Sequence, residues 1–338
     1  MNVVAATRNM IGNMYALFAI DLGVQLGLFH QIAASREPLS VDMLISKAQC
    51  KGERKLFESW ARAVQAAGVV DVSENGKLSF NEGWKNALTD ATSVEYIATL
   101  PRCYIALAET YPKFCALFKE GKKMAWQDLG RSIIEDISID GVRAANFFIE
   151  RVVDAIPGLR LKLERGATVY DIGCAAGHPT MRLAQAFPAS RFVGIDSSAE
   201  AIELAQAHAR EFSIGDRLEF RTLCATKLPK DVADVIFFND TLHEMNEDLR
   251  ITAFKAMRGA LRKDGGVFIS DPLAPERQAD YLKESTKLPT ITFFFEVPFG
   301  AKALTRSEME NMLHEAGFCI VKEIESSETE ISAYLKPL

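Results

Sequence analysis

No stretch of this chain reaches the roughly 18 consecutive apolar residues of a membrane-spanning helix. The closest, Met14 to Phe29, is interrupted by Asp21 and Gln25. The N-terminus lacks the basic segment, apolar run and small-residue cleavage site of a signal peptide, so a cytoplasmic protein with no membrane partner is expected. The six cysteines (Cys50, Cys103, Cys115, Cys174, Cys224, Cys319) are scattered and form no CxxC pair. That favours small buried side chains in a reducing compartment over a disulfide framework or a zinc site. Histidines are few, five in all, and no two share a short ligand spacing, so no metal is expected. Positive charge is also short: the formal net charge is -6. An acidic balance argues against non-specific binding to nucleic acid.

What is present is an ordinary globular composition, 48% hydrophobic and 25% charged over 338 residues, enough for two domains. Two styles of sequence meet near residue 165. Before it the pattern is mainly helical, with helices expected over Thr7 to Ile32, Ser40 to Ala48 and Lys51 to Ala67. Two β-like runs then flank Ser73-Glu74-Asn75-Gly76, a hairpin signal. Three helices followed by a hairpin is the winged-helix order. Residues 92 to 160 read as helical and rich in aromatics, and Pro157-Gly158 marks a break. After residue 165 strands and helices alternate. Strands are expected at Thr168–Ile172, Arg191–Ile195, Leu218–Thr222, Val232–Asn239, Gly266–Asp271 and Cys319–Glu325. Such alternation implies an α/β fold, a doubly wound and mostly parallel Rossmann-like sheet. The expected division is 1–98, winged-helix-like; 99–164, a helical linker covering the site; and 165–338, the α/β domain.

The sharpest motif is Val169-Tyr170-Asp171-Ile172-Gly173-Cys174-Ala175-Ala176-Gly177. An apolar strand enters a glycine-bearing turn ahead of a helix. Glycine lets the backbone approach a ligand, and the helix start offers free N–H groups. The spacing DxGxxxG is not the GxGxxG of dinucleotide sites. A plain strand–helix turn is the competing reading. Asp196 ends the next strand, where a doubly wound sheet meets its ligand crevice, and can accept hydrogen bonds from both hydroxyls of a ribose. Its bland alternative is a helix N-terminal acid. After the fourth strand comes Asn239-Asp240-Thr241-Leu242-His243-Glu244, where His243 can serve as a general base or as a hydrogen-bonded structural residue.

The first motif resembles motif I of the class I S-adenosylmethionine methyltransferases. The segment through His243 is similar to that of small-molecule O-methyltransferases, which ends in Leu-His-Asp-Trp. The resemblance implies S-adenosylmethionine as cofactor and S-adenosylhomocysteine as product. It implies cofactor contacts from Asp171, Gly173, Gly177, Asp196 and Asn239, and His243 as the general base. It further implies a homodimer formed through the N-terminal domain, which closes the partner's active site. Alone, that domain could instead bind DNA through Lys51 to Ala67, although its basic stripe is thin.

The chain departs from the family in two places. The acid that usually follows the third strand, near the adenine, is missing from Thr222-Leu223-Cys224-Ala225-Thr226. The family's Gly-Lys-Glu-Arg-Thr is Gly300-Ala301-Lys302-Ala303-Leu304-Thr305 here, so Ala303 stands where a glutamate orients the histidine. Glu296 or Glu244 are the expected substitutes. The aromatic run Thr292 to Phe299 reads as a buried strand or interface segment, or as a wall over the acceptor. Arg102, Tyr104, Phe294 and Glu296 are the expected acceptor contacts, with Arg143 and Arg151 as further carboxylate clamps. Expected acceptors are a small carboxylic acid or phenol, methylated at O or S. Thioether methylation of 4-methylthio-2-hydroxybutyrate, on the route to dimethylsulfoniopropionate, remains open. So do a ligand-sensing DNA-binding regulator and a methyltransferase fold recruited for binding or rearrangement.

Overall fold

A computed structural model describes residues 2–81, 83–126, 129–212 and 215–338. Two units emerge, Met1–Ala106 and Leu107–Leu338. In the first, the long helix expected from Thr7 to Ile32 is two helices, Val3–Gln25 and Leu28–Ala34. The break falls at Gly27, whose φ of 64° lies in the left-handed region that glycine tolerates. The helices Val41–Lys47 and Arg54–Ala66 follow. Ser40 caps the former by accepting from the Met43 amide at 3.3 Å. A short strand unseen in the sequence, β1 (Leu39–Ser40), joins the expected hairpin of β2 (Val70–Val72) and β3 (Lys77–Phe80). The three form an antiparallel sheet in the order β1-β3-β2. Phe29, Leu44, Val64 and Leu78 fill the core of this unit. No single described helix is long and apolar enough to cross a membrane.

The second unit is built on a sheet whose central strands are β4 (Thr168–Ile172), β5 (Arg191–Asp196), β6 (Leu218–Thr222), β7 (Ala233–Asn239) and β8 (Leu261–Ala274). The short β9 (Leu304–Thr305) pairs with β8 off the main path, and β10 (Phe318–Glu323) and β11 (Glu330–Pro337) complete the sheet. The order is β10-β11-β8-β7-β4-β5-β6. The five central strands are parallel, and β11 runs antiparallel to β8 and β10. Strand β11 was not expected. Its Glu330-Ile331-Ser332-Ala333 opening alternates polar and apolar only briefly, and its pairing with β8 is decided across the fold. Helices His178–Ala186, Ala199–Phe212, Glu247–Ala260 and Arg306–Glu315 supply the expected alternation with these strands.

Strand order reverses between β5 and β7 on either side of β4, which opens a crevice at the carboxyl ends of these strands. Two apolar layers hold the sheet, one around Phe238, Phe254 and Ile269, the other around Phe148, Phe237 and Phe268. The aromatic run is not a strand. It closes the helix Glu284–Phe293 and continues into a turn of 3-10 helix at Val297–Phe299.

Phe254 is fully buried and meets Phe238 and Phe318 edge-on at 5.5 and 6.0 Å. Phe254→Ala is expected to cost about 3–5 kcal/mol of stability, read by denaturant unfolding followed by circular dichroism. A loss below 1 kcal/mol would contradict this packing.

Candidate active site

The motif I turn starts where β4 ends. Gly173 and Gly177 have φ values of 78° and 84°, and Ala175 shares the left-handed region at 45°. A Cβ on Gly173 would lie 2.3 Å from Thr241 Oγ1, and one on Gly177 would lie 2.5 Å from the Phe220 ring. Backbone alone fits at both positions, so the turn packs close beneath the crevice. Asp171 is buried and accepts a hydrogen bond from Thr180 Oγ1 at 2.5 Å. Burial, reinforced by the charge of Asp196 and opposed by Thr180, raises its carboxyl to about 7. Asp196 stands at the end of β5 and accepts from the Ala175 amide at 3.0 Å and the Ser198 amide at 2.8 Å. Asn239 ends β7, and its side-chain amide donates to Asp240 at 2.9 Å.

His243 sits in the loop that follows β7, and only 4% of its surface is exposed. The carboxylate that orients it is Asp271, on β8. Asp271 Oδ1 lies 3.1 Å from His243 Nδ1 and 3.2 Å from the His243 amide. Its Oδ2 accepts from the amides of Thr241 and Leu242 at 3.0 and 2.8 Å. Sequence reasoning missed this residue, although it ends an expected strand just as Asp196 does. The expected substitute Glu296 is also present, but on the opposite ring nitrogen. Glu296 Oε2 lies 3.1 Å from His243 Nε2. That contact is an ion pair without hydrogen-bond alignment, since Glu296 Oε2 is buried with no hydrogen-bond partner. Burial disfavours a charged His243 ring, but Asp271, with Glu296 adding, outweighs it and holds the imidazole pKa well above its ordinary value. Glu244 is raised to about 8, by burial first and then by the charges of Glu296, Asp196 and Asp240, against the opposing pull of His243.

The acceptor expectations divide. Glu296 is at the site. Phe293, not Phe294, faces His243, with ring centroids 5.9 Å apart. Phe294 packs instead on Phe114 and Phe118 at 5.5 and 6.2 Å. Arg143 and Arg151 pair with Asp140 at 3.2 Å and Glu325 at 3.8 Å. Arg102 and Tyr104 lie on the helix Leu100–Ala108, at the end of the N-terminal unit.

The family profile described as "Methyltransferase domain" matches residues 163–317. The matched segment lies wholly within the C-terminal unit and spans its strands β4 to β9. One curated relative, the 27-O-demethylrifamycin SV methyltransferase of Amycolatopsis mediterranei (strain S699), is 29% identical over 194 residues. That alignment covers 55% of this chain and 64% of the relative, so the chain spans less than two thirds of its length. Among solved structures, the mitomycin 7-O-methyltransferase MmcR superposes with a TM-score of 0.66 at 17% identity, over 98% of this chain and 97% of that one. LepI in complex with S-adenosylmethionine gives 0.60 at 17% identity, over 100% and 90%. These likenesses place the whole chain in the methyltransferase fold with an N-terminal helical region.

The crevice suits a cationic cofactor. Asp171 and Glu244 are hard to ionise because they are buried among other carboxylates, and a sulfonium with its α-ammonium group supplies the missing positive charge. A carboxyl raised to about 7 favours the folded protein below about pH 4, and that contribution is lost as pH rises through 7. A bound cation reverses the shift and drives the proton off. S-adenosylmethionine binding at pH 6.5 should therefore release protons and tighten as pH rises to 8. Calorimetry in buffers of different ionisation heat reads this directly; proton uptake on binding would contradict it.

Proposed function

We propose that this protein is an O-methyltransferase that transfers a methyl group from S-adenosylmethionine to the hydroxyl of an uncharged, aromatic small molecule. One observation carries the reading: the buried Glu296 Oε2, without a donor, beside His243 Nε2. A hydroxyl seated there donates to an otherwise unsatisfied acceptor. Carboxylates around His243 disfavour an anionic acceptor, and Phe293 offers an apolar wall. The rifamycin and mitomycin methyltransferases, both O-methylating enzymes, support the acceptor atom.

In this reading the motif I turn, Asp171 and Asp196 hold the cofactor, and Asn239 shapes the crevice floor. The sulfonium is an already activated methyl donor, so positioning contributes most of the rate. Asp271 fixes the His243 ring. His243, held charged by Asp271, faces the Glu296 carboxylate, and the hydroxyl proton passes to Glu296 Oε2 as the oxygen takes the methyl group, which leaves a neutral thioether on the cofactor. His243→Ala and Glu296→Gln should each lower kcat by about 10²–10⁴ while S-adenosylmethionine affinity stays within a few fold. A panel of phenols and thioether acids, scored by transfer of labelled methyl, checks this. A small effect of His243→Ala together with turnover of a thioether would overturn hydroxyl methylation in favour of sulfur.

The N-terminal unit is read as a winged-helix-like dimerisation module of a cytoplasmic homodimer. Its first helix exposes Met10, Met14, Tyr15, Phe18 and Leu22, with Met10 at 67% and Tyr15 at 62%. An apolar stripe this long on a single chain marks an interface. The double variant Met14→Glu/Phe18→Glu should convert a dimer to monomer in light scattering after size exclusion. A native chain that elutes as monomer at all concentrations would overturn the assignment.

A further inference from the structure

Outside the cofactor crevice, three side chains from three helices meet. Glu135 lies on the helix Arg131–Asp140, His178 opens the helix His178–Ala186, and His208 lies on the helix Ala199–Phe212. Glu135 Oε1 is 2.7 Å from His178 Nε2 and 3.3 Å from His208 Nε2. One ligand atom from each residue falls within 4.8 Å of the others. All three side chains are largely shielded, at 27, 19 and 20% exposure for Glu135, His178 and His208.

The hydrogen-bond arithmetic leaves a gap at the centre. His208 Nδ1 lies 3.1 Å from the Ala176 carbonyl oxygen. A carbonyl only accepts, so Nδ1 carries the hydrogen. The Nε2 of a neutral ring then presents a lone pair to the lone pairs of Glu135 Oε1. The second oxygen, Glu135 Oε2, is buried with no hydrogen-bond partner. Two acceptors facing each other beside an unsatisfied carboxylate oxygen call for a cation between them. A metal-bound imidazole is also commonly anchored by its other N–H on a backbone carbonyl, as His208 is here.

We propose that Glu135, His178 and His208 bind a divalent transition metal, with Zn2+ the best fit. Two imidazoles and one carboxylate select such ions over Ca2+ or Mg2+. Ligand atoms about 2.1 Å from a tetrahedral ion lie about 3.4 Å apart, so the 3.3 Å contact already fits, the 2.7 Å contact opens slightly, and the remaining pair, within 4.8 Å, closes by at most a little over an ångström. Glu135 Oε2 or a water completes the shell. The ion ties two helices to the first residue of the helix behind Gly177, next to the carbonyl of Ala176. It therefore braces the motif I turn without touching the reacting atoms. Sequence spacing gave no sign of it, because the ligands are separated along the chain and gathered only by packing.

The test uses the untagged full-length chain, stripped with chelator, with no cofactor present. Titration with Zn2+ should show one ion per chain and raise Tm by roughly 5 °C at saturation. Co2+ should give the intense visible bands of a four- or five-coordinate site. His208→Gln and Glu135→Gln should each weaken Zn2+ binding by at least about tenfold. Where a variant fails to fold, the Co2+ spectrum of the native chain decides. Binding that both variants leave unchanged, a stoichiometry well below one, or the weak spectrum of hexaaqua Co2+ would overturn the site and leave a cluster held by a proton. None of these readouts depends on methyl transfer, so they stand or fall apart from the proposed activity.

Discussion

One buried carboxylate organises the C-terminal body. Asp271 is 1% exposed and takes four N–H contacts from one loop: three successive amides and the ring of His243. A buried carboxylate must be satisfied in this way or it destabilises the fold. The requirement works in both directions. The loop after β7 wraps where Asp271 can receive its amides, and the histidine is locked in the orientation that turns Nε2 toward Glu296. The position of Asp271 is in turn set by register, since β8 is clamped between β7, where Asn239 faces Ser270, and β11, where Ile331 faces Asp271.

Around that anchor the crevice is built from negative charge and bare backbone. Gly173 and Gly177 admit no side chain, because Thr241 and Phe220 already fill the space. Asp171, Asp196 and Glu244 crowd together, and burial raises each of them. Such crowding is costly in a resting protein, and it becomes an advantage with a ligand that carries positive charge. Arg143 and Arg151 leave this field unrelieved, since they pair with Asp140 and Glu325.

Ala303, in place of the glutamate common in related sequences, first reads as the loss of the histidine's orienting acid. The structure shows the task divided. Asp271 orients the ring from Nδ1, and Glu296 arrives from the aromatic segment at Nε2. An acid absent from one motif position is thus matched by carboxylates that the fold brings to the same ring from β8 and from the aromatic segment.

The sequence by itself determined the strand–helix alternation, the glycine turn with Asp171, the strand-end Asp196 and the histidine after β7. Each of these is a local signal: hydrophobic period, turn chemistry, or a polar residue at the end of an apolar run. Only the tertiary structure decided which carboxylate meets His243, that Phe293 and not Phe294 faces it, and that β11 completes the sheet. It alone gathered Glu135, His178 and His208. Those outcomes depend on register and helix packing between segments far apart in the chain, and contacts of that kind leave no periodicity or spacing for a sequence to display.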